Sequence, residues 1–164
     1  MSESHYNVLF LCTGNSARSI MAEGILRKKG GPHFTAYSAG SQPAGFVREE
    51  ALAQMRRAGL PTNGFRSKSW DEFTGPAAPH LSFVFTVCDH AAKESCTIWP
   101  GQPMTAHWGV PDPAAVEGSA AEVERAYGTA FSALDRRISL FLALPFEALD
   151  AFALQKAIQS IGKG

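Results

Sequence analysis

An α/β fold with a parallel sheet between helices is predicted by three features of the chain. Apolar, β-rich runs alternate with segments of helical periodicity. Glycine, proline or small polar residues punctuate nearly every junction. Three residues with chemical potential, Cys12, Cys88 and Asp112, each stand just after a predicted strand. Ligands of such sheets bind outside the carboxyl ends of the strands, so these three can converge on one cleft.

Four strands carry this reading. Residues 6–11 contain the apolar run Val8 to Leu11 and read as a strand buried on both faces. A second short strand is expected over 34–38. The best strand is 81–87, where Leu81, Phe83, Val84, Phe85 and Val87 all suit a sheet. Residues 104–108 make the fourth. The first helix follows residue 16 and sets Ala17, Ile20, Met21, Gly24 and Ile25 on one face; Lys28 and Lys29 close it, and Gly30, Gly31 and Pro32 break it. A second helix is expected over 46–58, ended by Gly59. Ser69 and Glu72 have the spacing of a capping box opening a short helix, and Ser119 and Glu122 have the same spacing before a long one. The long helix carries an apolar stripe of Val123, Tyr127, Ala130, Leu134, Ile138, Phe141 and Leu142 until Pro145. A final amphipathic helix is expected over 146–161.

At 164 residues the chain suits one domain, 1–164, with a real core, and no linker or repeat divides it. The formal net charge is zero, which favours neither nucleic acid nor an anionic membrane as partner. No apolar run is long enough to span a bilayer, and the first residues lack the pattern of a signal peptide. A cytoplasmic location is therefore expected. There the three cysteines, Cys12, Cys88 and Cys96, are reactive, metal-binding or inert rather than structural staples. His5, His33, His80 and His107 show no ligand spacing, and no metal centre is expected.

The stretch from Cys12 to Ser19 organises the chain. Cys12 sits at the mouth of a loop between strand and helix, and Arg18 closes it. Thr13, Gly14, Asn15, Ser16 and Ala17 are small enough for the backbone to curl with its N–H groups inward, and Asn15 tolerates a left-handed turn. Such a nest at a helix N-terminus binds a tetrahedral oxyanion. Arg18 can hold two of its oxygens. The same positive environment predicts a Cys12 that is largely thiolate, aimed at the central atom. Asp112, between Pro111 and Pro113, reads equally as a general acid over the loop or as a turn aspartate. Cys88 reads as a redox partner, as an inert core thiol, or with His90 and Cys96 as part of an incomplete zinc site.

Cysteine, five residues, arginine and serine form the loop of the low-molecular-weight tyrosine phosphatase fold. The version here, followed by Ile20, Met21, Ala22, Glu23 and Gly24, resembles the arsenate reductases of that fold, the thioredoxin-coupled type. Trp108-Gly109 and Asp112-Pro113-Ala114 match the reductase form, whereas phosphatases of the fold usually carry aromatic residues after the Asp-Pro. The segment from Cys88 to Cys96 resembles the reductases' redox segment, with one residue more between its cysteines.

The resemblance implies a four-stranded sheet and the catalytic residues Cys12, Arg18, Asp112, Cys88 and Cys96. Residues Thr13, Gly14, Asn15, Ser16, Ala17, Arg18 and Ser19 would bind substrate, with Ser19 donating to the Cys12 sulfur or serving as a plain first-turn serine. It implies reduction of arsenate to arsenite by a Cys12–Cys88–Cys96 relay. No tightly bound cofactor is implied; an external dithiol, thioredoxin or the glutaredoxin–glutathione system, would take the oxidation away. Phosphate and sulfate would mimic the substrate. The alternative is a tyrosine phosphatase using the same Cys12, Arg18 and Asp112. In such reductases Asn15, Glu23 and Ser38 would help hold a potassium ion; Lys68 stands where an acid is expected, so no potassium requirement is predicted. The helix past Pro145 exceeds what shorter family members need.

Overall fold

The computed structural model describes residues 5–88 and 102–163. Its sheet has four parallel strands, β1 (Tyr6–Leu11), β2 (Phe34–Ala39), β3 (Phe83–Thr86) and β4 (Met104–His107), in the order β2-β1-β3-β4. The register sets Leu11 beside both Ala39 and Thr86, and Thr86 beside His107. All four strands thus end level. Cys12, Gly40, Val87 and Trp108 leave the sheet along one edge.

The described residues also form helices α1 (Arg18–Lys29), α2 (Glu49–Arg57), α3 (Ala120–Leu142) and α4 (Ala151–Lys163). Alternation along the strands sorts the core into two layers. Val8, Phe10, Phe83, Phe85, Ala106 and Trp108 join the larger cluster with α1, α3 and α4. Leu9, Leu11 and Val84 face the other way, against Phe73 and Trp70 of a 3-10 turn (Trp70–Phe73). Among the described residues that second face carries this 3-10 turn, where a short helix was expected. Helix α1 is buried from Ser19 through Leu26, on nearly every side, because the sheet, α2 and α3 surround it.

The strand expected over 81–87 is shorter, Phe83–Thr86, and the helical segments differ from the sequence reading in three places. Helix α2 begins three residues late, because the backbone of 42–48 is spent on the anion loop: Gln42, Ala44 and Arg48 donate to the carbonyls of Thr13, Gly14 and Ser16. Ser69 caps through Asp71 N, while Glu72 turns away to grip Arg66 with both oxygens, so the first expected capping box does not form. The last expected helix splits into a 3-10 turn (Phe146–Ala148) and α4, whose first turn is capped by the Asp150 carboxylate accepting from Ala153 N at 2.8 Å. The box of Ser119 and Glu122 forms in full.

The helix α4 lies along β4. Gln155 donates to the carbonyl of Thr105 and the Trp108 indole to that of Ile158. A Cβ at Gly162 would stand 2.1 Å from the His107 carbonyl oxygen, so only glycine lets the helix come this close.

Candidate active site

The loop after β1 is held from outside by its carbonyls. Those of Thr13, Gly14 and Ser16 accept from the N–H groups of Gln42, Ala44 and Arg48, and Gly14 also accepts from the Ser67 hydroxyl. Inside the loop the Gly14 N–H donates to the Cys12 sulfur. Asn15 takes the left-handed conformation, φ 46°, as its residue type allows. Its buried amide donates to Ser19 Oγ at 2.8 Å and accepts from Lys68 N at 2.9 Å. Ser19 thus bonds to the loop's own asparagine; among the described residues it makes no bond to the Cys12 sulfur.

One glycine that sequence reasoning did not assign to the site packs directly against the loop. A Cβ at Gly40 would lie 2.4 Å from the Thr13 carbonyl oxygen and 2.7 Å from that of Cys12. The sheet brings Gly40 directly behind the loop, with Cys12 N donating to Ala39 O at 3.2 Å. The only sequence signal was a glycine at a strand end.

Cys12 is buried, and Cys88, delivered by β3, is buried against it. The two thiols are near enough to influence each other's ionisation, and Thr13 Oγ1 stands 3.7 Å from the Cys88 sulfur. The neighbouring Cys88, with burial next, pushes the Cys12 thiol above its ordinary range; Arg18 and the Gly14 N–H pull the other way. The loop by itself favours a thiolate at Cys12; the neighbouring Cys88 and burial oppose it and favour the thiol.

Arg18 Nη1 donates to Val110 O at 2.9 Å, and its Nη2 stands 3.6 Å from Asp112 Oδ2. The other Asp112 oxygen accepts from Ala114 N at 3.0 Å and caps the turn Pro113–Ala115. Asp112 is thus a turn aspartate and also faces the loop arginine; the two readings describe its two oxygens. Tyr127 of α3 is buried and lies within the field of Glu50, Arg48, Asp112 and Arg18, where burial raises its hydroxyl above the usual range. Its helical spacing had marked it only as core. Cys96 and His90 lie outside the described residues.

Behind the loop, the groups that a potassium ion would need are already engaged. Ser38 Oγ donates to Glu23 Oε1 at 2.6 Å, Arg27 pairs with Glu23 Oε2 at 2.5 Å, and Asn15 Oδ1 accepts from Lys68 N. Lys68 lies in the field of Glu23, and burial lowers its ammonium below the ordinary range. Two cationic side chains answer the one buried carboxylate, so these residues do not fit a metal cation.

Residues 7–149 match the model of the family described as low molecular weight phosphotyrosine protein phosphatase. An arsenate reductase of Bacillus licheniformis is 38% identical over 120 residues, 73% of this chain and 82% of that protein. A solved structure of an arsenate reductase in oxidized state aligns with a TM-score of 0.67 at 22% identity, covering 84% of this chain and 96% of the other. A thioredoxin-dependent arsenate reductase of Corynebacterium glutamicum aligns with a TM-score of 0.55 at 21% identity, covering 85% of this chain and 65% of that one. With the loop, the sheet and the family match in agreement, the chain belongs to the low molecular weight phosphotyrosine protein phosphatase family.

Proposed function

We infer that this chain is an arsenate reductase, which binds arsenate in the loop of Cys12 to Ser19 and reduces it to arsenite. The observation that carries this reading is the interaction between two buried free thiols, Cys12 and Cys88, with Arg18 acting on the first. A hydrolytic site needs one nucleophilic sulfur. A reducing site needs a second within reach, and kinship with curated arsenate reductases at over 30% identity points the same way.

Cys12 gives up its proton for the attack, and Arg18 and the Gly14 N–H then stabilise the charge on its sulfur against burial and Cys88. The Cys12 sulfur attacks arsenic(V), and Asp112 protonates the departing oxygen, which leaves as water. Cys88, deprotonated, attacks the Cys12 sulfur. A disulfide forms, the sulfur–arsenic bond breaks, and its electron pair stays on arsenic, which departs as arsenite. Cys96 then attacks Cys88, freeing Cys12, and an external dithiol reduces the Cys88–Cys96 disulfide. Thioredoxin is the favoured reductant, since a neighbour of this fold is thioredoxin-dependent. Cytoplasmic thiol chemistry suits such a cycle, and among the described residues no helix is long and apolar enough to cross a membrane.

The test couples arsenate to NADPH oxidation through thioredoxin and its reductase, then through glutathione and glutaredoxin, and offers an aryl phosphate in a separate arm. Arsenate-dependent NADPH oxidation that disappears in Cys88→Ser supports the relay. Rapid aryl phosphate hydrolysis by Cys88→Ser, with no arsenate turnover by the wild type, would instead establish a phosphatase.

A further inference from the structure

We propose that Arg137 is a positioning residue for the acid Asp112. It rests on the arsenate reductase reading for the step it assists. The strand ladder ends at His107, so the carbonyls of Trp108, Gly109 and Val110 must find other donors. All three are taken by arginines. Arg137 Nη1 donates to Trp108 O and Gly109 O, each at 2.8 Å. Arg18 Nη1 donates to Val110 O at 2.9 Å. The stretch that carries the acid is thus gripped from behind by α3 and from the site by the loop.

The remaining contacts leave this stretch little freedom. Val110 N donates to Val87 O at 3.1 Å, one residue before Cys88. The buried Trp108 ring stacks on Phe85, 3.7 Å between centroids and 14° between planes, and its N–H donates to Ile158 O of α4. Only Pro111 separates the last of these ties from Asp112, and prolines on both sides stiffen it. Arg137 itself is half-buried, with Nε buried and lacking a partner among the described residues. A guanidinium in such a place costs free energy that helix α3 would not need to spend on its own account. Its bonds go to the backbone bearing the acid rather than to the core. Removing them lets residues 108–110 shift, and Asp112 with them, by a fraction of an ångström; displacements of about 1 Å near reacting atoms cost on the order of 100-fold in rate.

The experiment is a double-mutant cycle. Arg137→Met and Arg137→Lys are made alone and with Asp112→Asn, and each is measured for arsenate kcat and KM and for the Kd of inorganic phosphate. In the wild-type background Arg137→Met is expected to lower kcat roughly 10- to 100-fold, with KM and phosphate Kd within about twofold, and Arg137→Lys to recover part of the loss. In the Asp112→Asn background Arg137→Met changes kcat by less than about twofold, because the group it positions is gone. An equal loss in both backgrounds, or phosphate affinity falling in step with kcat, overturns the proposal. If Arg137→Met fails to fold, the same comparison is made with Arg137→Lys, whose loss must also vanish with Asp112→Asn. A wild type inert toward arsenate sinks the reductase reading instead; the same variants are then read on an aryl phosphate, where Asp112 would protonate the leaving oxygen.

Discussion

Cys12 holds its proton under opposing influences. Cys88 and burial raise the thiol above its ordinary 9.0, so the folded chain keeps a proton that the unfolded chain loses first. The stability this contributes is complete below about pH 9 and is lost as pH rises further. Urea unfolding of the reduced protein from about pH 8 to about pH 10 should show stability falling by up to roughly 1.4 kcal/mol per pH unit from this group, a slope absent in Cys12→Ser and reduced in Cys88→Ser. Identical slopes in all three proteins would remove the thiol–thiol interaction from the account. At Gly40 the argument is steric. A methyl group 2.4 Å from the Thr13 carbonyl must push the loop or β2 aside. Gly40→Ala is expected to cost about 1–3 kcal/mol and to weaken phosphate binding at least about tenfold, by calorimetry. Unchanged phosphate affinity would show that the loop tolerates the shift.

Three pieces of chain meet behind the anion loop: α1 supplies Glu23 and Arg27, β2 supplies Ser38, and the stretch after Arg66 supplies Lys68. With Arg27 and Lys68 supplying positive charge beside Glu23, no potassium requirement is expected. Replacing sodium by potassium at equal ionic strength should leave arsenate turnover and Tm unchanged. Lys68→Asp, which removes the ammonium and adds a second carboxylate, should lower Tm and create a dependence on the cation. A wild-type Tm that climbs with potassium but not with sodium would defeat this. At the other end of the sheet, α4 covers β4 and supplies the carbonyl that fixes the Trp108 ring. An element lying past the family match is therefore tied to the stretch that carries the acid.

Across the whole molecule, one aromatic cluster joins sheet and helices. The buried Phe141 ring meets those of Phe34, Phe83, Phe85, Trp108 and Phe146, with centroids between 5.0 and 5.8 Å. Its loss leaves a hole shared by α3, three strand positions and the root of the acid segment. Phe141→Ala should cost about 3–5 kcal/mol in urea unfolding with the m-value kept, since the chain still unfolds as one unit. A second transition appearing in the variant would mean that the cluster is what couples the two ends of the sheet.

The strands, the anion loop and the long helix were legible because each is local. Val8 to Leu11 must be buried whatever surrounds them, Asn15 must turn where it stands, and the Ser119–Glu122 box closes within four residues. Elements whose backbone is claimed from far away were not. The start of α2 yields to the loop of Cys12, and Glu72 yields to Arg66. Residue types and their order along the chain thus settled which groups follow the strands, two cysteines and an aspartate, and that an arginine closes the first loop. Packing alone decided their relations, among them the influence of Cys88 on Cys12, the Gly40 contact, and the grip of Arg137 on Trp108 and Gly109. The physical reason is range. Periodicity and turn chemistry act over a few residues, whereas hydrogen bonds across 28 or 75 residues depend on how helices and strands settle against one another.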